Sequence, residues 1–269
     1  MAIERYISNL INSKILNKAV DASGEEIFKL STQSEERLLE ALQQNDCILS
    51  YLNAPVPTPA KEVAMRVFNS QLAENEDGDI ILDKTNGNFA INVVKVKINR
   101  VIVQVELDEA VFVMEGKALE DVILSRITDA FTEGINKKFI NDLVAQGVAK
   151  KGSVANGFGG VALSALKSNN GFVLVSRAFL NNALDIGDID KDILNNPKVH
   201  LFESNDDGEA IVIAVEDKNA IEVYKGAEEV NCSMMETGFL RNTKVFGARA
   251  SYGFLVKNPR KVKAVIVTP

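Results

Sequence analysis

The chain has 269 residues, 46% of them hydrophobic and 25% charged, with a formal net charge of −7 and a pI near 5.0. That composition supports a sizeable core in one large or two modest domains, while the absence of a block of Lys and Arg argues against a surface that grips nucleic-acid phosphates. Two remote cysteines, Cys47 and Cys232, no leader-like N-terminus and no run near the roughly 18 apolar residues of a membrane helix give the expectation of a cytosolic protein with reduced thiols and no membrane span.

In chain order, residues 3–20 place Ile3, Ile7, Leu10, Ile11 and Ile15 on one helical face, and residues 34–52 do so with Leu38, Leu42 and Leu49. Ser34, followed by Glu35 and Glu36, is the expected start of the second helix, since a hydroxyl caps free N–H groups and acids suit the helix dipole. Pro55, Pro57 and Pro59 then predict an extended connector, because proline neither sits inside a helix nor donates to a ladder. Residues 63–106 read as strands only. Val94, Val96 and Ile98 alternate with Lys95 and Lys97, and Val101, Val103 and Val105 with Ile102, Gln104 and Glu106. Asp77-Gly78 and Asn86-Gly87 are strong turn pairs between them, so a long hairpin is expected to project. Such a ribbon is marginal in water by itself and rests on its own domain or on another subunit.

Residues 117–148 carry the longest helical signal. Leu119, Ile123, Ile127, Phe131, Ile135, Phe139 and Leu143 recur at every fourth place, which predicts an amphipathic helix on the order of 45 Å long. Gly134 interrupts it at a cost of about 1 kcal/mol relative to Ala. Glu120, Asp121, Lys137 and Asn141 lie on the face left for solvent or a partner. A glycine-rich hinge is expected over residues 150–160, then a mixed α/β lobe to about Leu240, with long closing strands beyond it forming the sheet under the long helix.

The chemistry-bearing residues do not assemble into a constellation. His200 stands alone in the strand-like KVHLF, where a satisfied histidine is the base expectation. Cys47 and Cys232 are too far apart for zinc spacing, and a pairing of Cys232 with His200 has no motif behind it. The segment around Gly116 and Lys117 resembles the end of a phosphate loop, but Val111 and Ala118 stand where the first glycine and the magnesium-binding hydroxyl belong. Gly157, Gly159 and Gly160 do not open a helix after a strand, and Asp206-Asp207 and Glu228-Glu229 are neighbours of the solvated-turn kind. No catalytic residue, metal ligand or cofactor is predicted.

Three passages carry a family resemblance. VKINRVIVQVELDEAVFVMEG is similar to the strand that ends the extended loop and enters the spine helix of the major capsid proteins of tailed bacteriophages, the Hong Kong phage-type fold shared with encapsulins. EAIVIAVEDKNAIEVYKGAEEV resembles the family's axial-domain strands. KVFGARASYGFLVKNPRKVKAVIV, with Arg249, Gly253 and Pro259, resembles its terminal peripheral-domain strands. The resemblance runs from about Pro55 to the end of the chain and implies an α+β fold. Residues 1–62 would be an N-terminal helical arm and connector, 63–106 an extended β-hairpin loop, 107–152 with 241–269 a peripheral domain holding the spine helix, and 153–240 an axial domain.

It implies further a non-enzymatic subunit assembling through pentamers and hexamers into an icosahedral head around double-stranded DNA, built in the host cytoplasm and resident in the virion. A portal and a separate scaffolding protein would be its partners. The hairpin tip, with Asp77, Gly78, Lys84, Asn86 and Gly87, would be a subunit interface. Lys84 and Asn242 are the nearest candidates for the lysine–asparagine crosslink some relatives form. Two alternatives stand beside this: an encapsulin-like shell around a cargo enzyme, whose N-terminal helix would help form an inner groove for a cargo peptide, and a soluble α/β enzyme using acids of the middle lobe.

Overall fold

The computed structural model describes residues 3–20, 24–44, 46–70, 73–74, 80–81, 89–151, 158–180, 195–202, 210–227, 230–236 and 243–267. In chain order its elements are α1 (Ile3–Asn12), β1 (Leu16–Val20), β2 (Glu26–Leu30), α2 (Thr32–Gln44), β3 (Val56–Thr58), β4 (Glu62–Ser70), β5 (Ala73–Glu74), β6 (Ile80–Ile81), β7 (Phe89–Lys97), β8 (Asn99–Asp108) and α3 (Gly116–Ala145). They continue with β9 (Ala149–Lys151), α4 (Phe158–Lys167), β10 (Phe172–Ser176), β11 (Val199–Phe202), β12 (Ala210–Val215), β13 (Ile221–Gly226), β14 (Asn231–Glu236), β15 (Thr243–Val256) and β16 (Val262–Val267). The fold is α+β, as expected.

A seven-stranded sheet in the order β1-β2-β14-β15-β13-β3, with β8 along the other side of β15, lies against α3. Alternation explains the contact. Val101, Val103 and Leu107 of β8 and Phe246, Ala248, Ala250, Tyr252 and Phe254 of β15 are buried, and they share one cluster with Leu119, Ile123, Ile127, Phe131, Ile135, Phe139 and Leu143 of α3. The predicted stripe is thus the buried one. Gly134 does more than weaken the helix: a Cβ there would come 2.6 Å from Val101 Cγ1, so its missing side chain lets α3 settle onto β8. Gly134→Ala is expected to lower stability by about 1 kcal/mol, where the same change on an exposed helix face would raise it by a similar amount. Urea denaturation of Gly134→Ala, Val101→Ala and the double variant checks this; strictly additive effects would contradict the close approach.

The second sheet, β11-β10-β12-β16-β9, is mixed, with β10–β11 and β16–β9 parallel and the other pairs antiparallel. Every residue of β10 and β12 is buried. One face of these strands joins the main core and the other packs on Ala162 and Ala165 of α4 and on Phe179, which is why the sequence there runs apolar without alternating.

Several expectations are corrected. The first helix ends at Asn12, where Lys14 adopts a left-handed φ of 59° and turns the chain into β1; Ile15, expected on the helix, is buried after it. Among the described side chains of α1, Tyr6 and Leu10 are buried, while Ile7 and Ile11 are half-buried. The antiparallel hairpin β1–β2, Leu16 opposite Leu30, takes the place of further helix. Ser31, not Ser34, caps α2: its Oγ accepts from the Ser34 N–H at 3.2 Å, and Ser34 Oγ donates to Glu120 on α3 at 2.8 Å. Leu49 lies beyond the end of α2 in a separate 3-10 turn over Ile48–Ser50, held by a 2.8 Å bond from the Ile48 N–H to buried Asn136 of α3. The proline connector is partly a strand, since β3 pairs in parallel with β13 at the sheet edge, where proline's missing N–H costs no ladder bond. Gly159 and Gly160, expected in a hinge, are inside α4.

The closing strands divide. β15 lies under α3 as predicted, but β16 pairs with β12 in the other sheet. Strands β13 and β14, expected in the middle lobe, pair with β15, and β8, expected to close the hairpin, belongs to the large sheet.

Candidate assembly interface

The hairpin is a two-stranded ribbon. β4 and β7 pair from Glu62 opposite Lys97 to Ser70 opposite Phe89 and join neither large sheet; β5 and β6 continue as a second short pair, Ala73 opposite Ile81. At about 3.3 Å per residue the main pair alone is about 26 Å long. Its foot is fixed. The Ile98 N–H donates to Lys61 O at 2.9 Å, Lys138 Nζ of α3 donates to Lys97 O at 3.2 Å, and Ile98 Cγ1 would stand 3.2 Å from a Cβ at Gly253 of β15. The absent side chain at Gly253 is what admits the ribbon's root against the sheet.

Just beyond the end of β8, α3 satisfies β15 itself. Asp142 accepts the Phe254 N–H at 3.0 Å, and Gln146, one turn later, donates to Phe254 O at 2.7 Å and accepts the Val256 N–H at 2.8 Å. Burial pushes the Asp142 carboxyl up from its ordinary value, and the Lys138 ammonium with the Phe254 amide draws it back down. Helix, sheet and ribbon foot therefore meet at one point. At the other end of α3, Arg37 of α2 is paired with Glu120 and Asp121, so those two acids, expected to face solvent or a partner, are engaged within the chain.

The foot opens to solvent as a cavity of about 610 Å³ lined by Lys61, Glu62, Lys97, Ile98, Asn99, Arg100 and Ser251. Glu62 is paired with Lys95 at 3.3 Å. Lys61, Lys97 and Arg100 are exposed and have no ion-pair partner among the described residues. Apolar side chains are also left outside: Val93 on the ribbon is 54% exposed, Ile102 on β8 65%, and Val113, just before α3, 83%.

A second hollow, of about 420 Å³, crosses the face of the large sheet turned away from α3, with Ile7, Ile27, Ile102, Asn231, Gly247 and Arg249 among its lining residues. Buried Asn231 Oδ1 and Arg249 Nε find no hydrogen-bond partner among the described residues.

The remaining candidates for chemistry are separated or sealed. His200 stacks on Tyr51 with ring centroids 4.3 Å apart; burial lowers its pKa, with the Asp46 charge opposing. Cys232 lies in β14 of the large sheet, away from the sheet that holds His200, and the two are not brought together. Burial drives both thiols up, Cys47 to about 12, so they stay protonated at physiological pH. Gly116 and Lys117 open α3. Among the described residues no group of His, Cys, Asp and Glu has the makings of a metal site, and no helix is long and apolar enough to cross a membrane. Asp77, Gly78, Lys84, Asn86, Gly87, Asn242, Asp206, Asp207, Glu228 and Glu229 lie outside the described residues. The cations of the ribbon foot were missed in the sequence because residues 61 and 97–100 meet only through strand register; the Lys95 and Lys97 alternation was the available signal.

In class, the chain is an α+β protein with a long helix seated on an antiparallel sheet and a ribbon standing off it, and it is similar to several solved structures. One is a virus-like particle from Pyrococcus furiosus, at 13% identity and TM-score 0.47, covering 88% of this chain and 99% of that one. Another is the procapsid of satellite phage P4 including its size determination (Sid) protein, at 11% identity and TM-score 0.47, covering 87% and 99%. A third comes from Mycobacterium phage Bobi, at 11% identity and TM-score 0.47, covering 82% and 90%. No family model and no curated protein matches the sequence.

Proposed function

We propose that this chain is the structural subunit of an icosahedral phage head, assembling through pentamers and hexamers around double-stranded DNA. The observation that carries the reading is the ribbon: two strands with no third beside them among the described residues, rooted firmly at one end and offering exposed Val93 to solvent. Two strands alone bury too little to be stable in water, so a ribbon of this length gains its stability by lying on another molecule. The sequence resemblance identifies that molecule as a neighbouring copy. In this reading α3 and the large sheet are the peripheral part and the five-stranded sheet is the axial part meeting its copies around the capsomer axis. A net charge of −7 suits a lining that holds DNA without adhering to it. A separate scaffolding protein and a portal are the further partners this role requires, and the virion is its place. Electron microscopy of the protein expressed alone, and then with its scaffolding partner, is the test: round shells are expected, and a dispersed monomer in both preparations would overturn the proposal.

A second reading, an encapsulin-like compartment, rests on the hollow beside Ile7, whose lining sets apolar Ile7, Ile27 and Ile102 beside polar Asn231 and Arg249, a mixture that suits an extended cargo peptide. Purified particles separate the two. DNA inside them supports the head, and a co-purifying enzyme whose terminal peptide protects this hollow supports the compartment.

A further inference from the structure

One long edge of the large sheet has no strand beside it among the described residues. β8, ten residues long, pairs with β15 on one side and with no described strand on the other. A row of unpaired N–H and C=O groups of this kind is a template for a further strand. The sheet's other free edges are poor templates: β3 carries Pro57, flanked by Pro55 and Pro59, and β1 has five residues. Charge divides along β8. Arg100, at its start, and exposed Asp108, at its end, have no ion-pair partner among the described residues, and Ile102 between them is 65% exposed. The flank of α3 above this edge repeats the division. Gly134 lies over Val101, while Leu124 and Thr128 line a hollow shared with Arg37 of α2. At about 100° per residue, Arg126, Ala130 and Glu133 therefore fall on the flank away from α2, over the open side of β8. Neither Arg126 nor Glu133 is ion-paired among the described residues.

We propose that two copies of the chain join the free edges of their β8 strands, antiparallel about a two-fold axis at Gln104, so that one sheet runs through both. In that register Arg100 of each copy stands opposite Asp108 of the other, and the edge is its own complement. The helices agree. Val101 lies against Gly134, and residues 109–115 lead from the end of β8 to the start of α3, so strand and helix run antiparallel. Gln104 is about 10 Å further along β8 than Val101, level with roughly the sixth or seventh residue before Gly134 in α3. The axis therefore passes about 3 Å from the midpoint between Arg126 and Glu133, and each Arg126 meets the other copy's Glu133 across the small side chain of Ala130. A band about 33 Å long and about 20 Å high, the strand with the helix above it, is on the order of 650 Å² per copy. That falls a little below the roughly 800 Å² of a stable contact, so the pair is reversible and charge holds its register. This inference goes beyond the proposed role, since the pair needs neither the ribbon nor a shell.

Single cysteines test the register. Gln104→Cys sets two thiols opposite one another on the axis, with Cβ atoms about 4.5–5.5 Å apart, near the span of a disulfide. In Ile102→Cys each thiol sits four residues, about 13 Å, from its mate. With oxygen as oxidant and a copper catalyst, Gln104→Cys is expected to couple into dimers at least about tenfold faster than Ile102→Cys. An equal mixture of Ile102→Cys and Glu106→Cys chains should couple across the two types, since those positions face each other. Cys47 and Cys232 are buried and stay out of the reaction. Sedimentation equilibrium of the reduced chain gives an independent readout. Arg126→Glu and Glu133→Arg each bring like charges together twice in a two-fold pair, so each should weaken dimerisation about tenfold, and the double variant should return it to within about threefold of the wild type. Unchanged melting curves show that the fold is intact. Gln104→Cys chains that couple no faster than Ile102→Cys, or a double variant as weak as the singles, would overturn the pairing. Shells that form without this coupling would overturn the pairing and leave the shell reading standing. Coupled dimers without shells would support the pairing and count against the shell reading alone.

Discussion

Replacing residues 63–96 by Asn-Gly is expected to give a folded chain whose self-association is weakened at least about a hundredfold relative to the whole protein. Glu62 and Lys97 are register partners, so a two-residue turn of the kind that closes tight hairpins spans them without moving either. The body loses one buried side chain, Val96, and no strand of either large sheet. Neither β4 nor β7 contributes to the seven- or five-stranded sheet, and the root contacts of Ile98 with Lys61 and Gly253 remain. Assembly loses a whole docking element: a stable contact covers about 800 Å² per partner, and every 1.4 kcal/mol removed from it weakens association tenfold. Sedimentation velocity measures the association, and circular dichroism during heating measures the fold. An excised chain that assembles like the wild type would show the ribbon to be ornamental. One that fails to fold would show that its strands belong to the core.

The parts of this fold legible in the sequence are those in which one element decides its own periodicity. α3 repeats every fourth residue in a stripe that winds about 40° per step round the helix and is covered by β8 and β15 and by α2, and β8 alternates because one face is covered and the other open. The apolar runs of β10 and β12 are legible as strands by their length, and their burial on both faces explains why they do not alternate. The β1–β2 hairpin was not legible, because Ile15 and Leu16 continue the spacing of a helix that has already ended; the turn at Gly24, with φ of 87°, was the signal available. Partner choice was not legible either. Nothing local in β16 directs it to β12 while β15 goes to β8 and β14, since both read as long apolar strands and only the whole packing separates them. The candidate interface follows the same division. The ribbon was predicted from its turn pairs, while its cationic foot and its anchors at Lys138 and Gly253 depend on residues 41 and 155 positions apart in the chain.

Phe139→Ala is expected to cost about 3–5 kcal/mol of folding stability, a large share of the roughly 5–15 kcal/mol that holds a typical domain together. Phe139 has no exposed surface, and its ring meets Phe254 of β15 edge-on, with centroids 5.1 Å apart and planes at 68°. It lies between Lys138 and Asp142, the residues that hold the ribbon root and the uncovered end of β15, so the void would open beneath the junction on which the ribbon is aimed. Assembly should therefore fail in this variant at temperatures where the chain is still mostly folded, because a loosened root points the ribbon in many directions and association must then order it. Phe139→Leu refills most of the space and should lose much less. Urea denaturation of the two variants measures the first effect, and shell yield at temperatures below their melting points measures the second. If Phe139→Ala lost less than about 1 kcal/mol, α3 would not be seated on the sheet by this face. If shells formed from it normally, the aim of the ribbon would not depend on the helix beneath it.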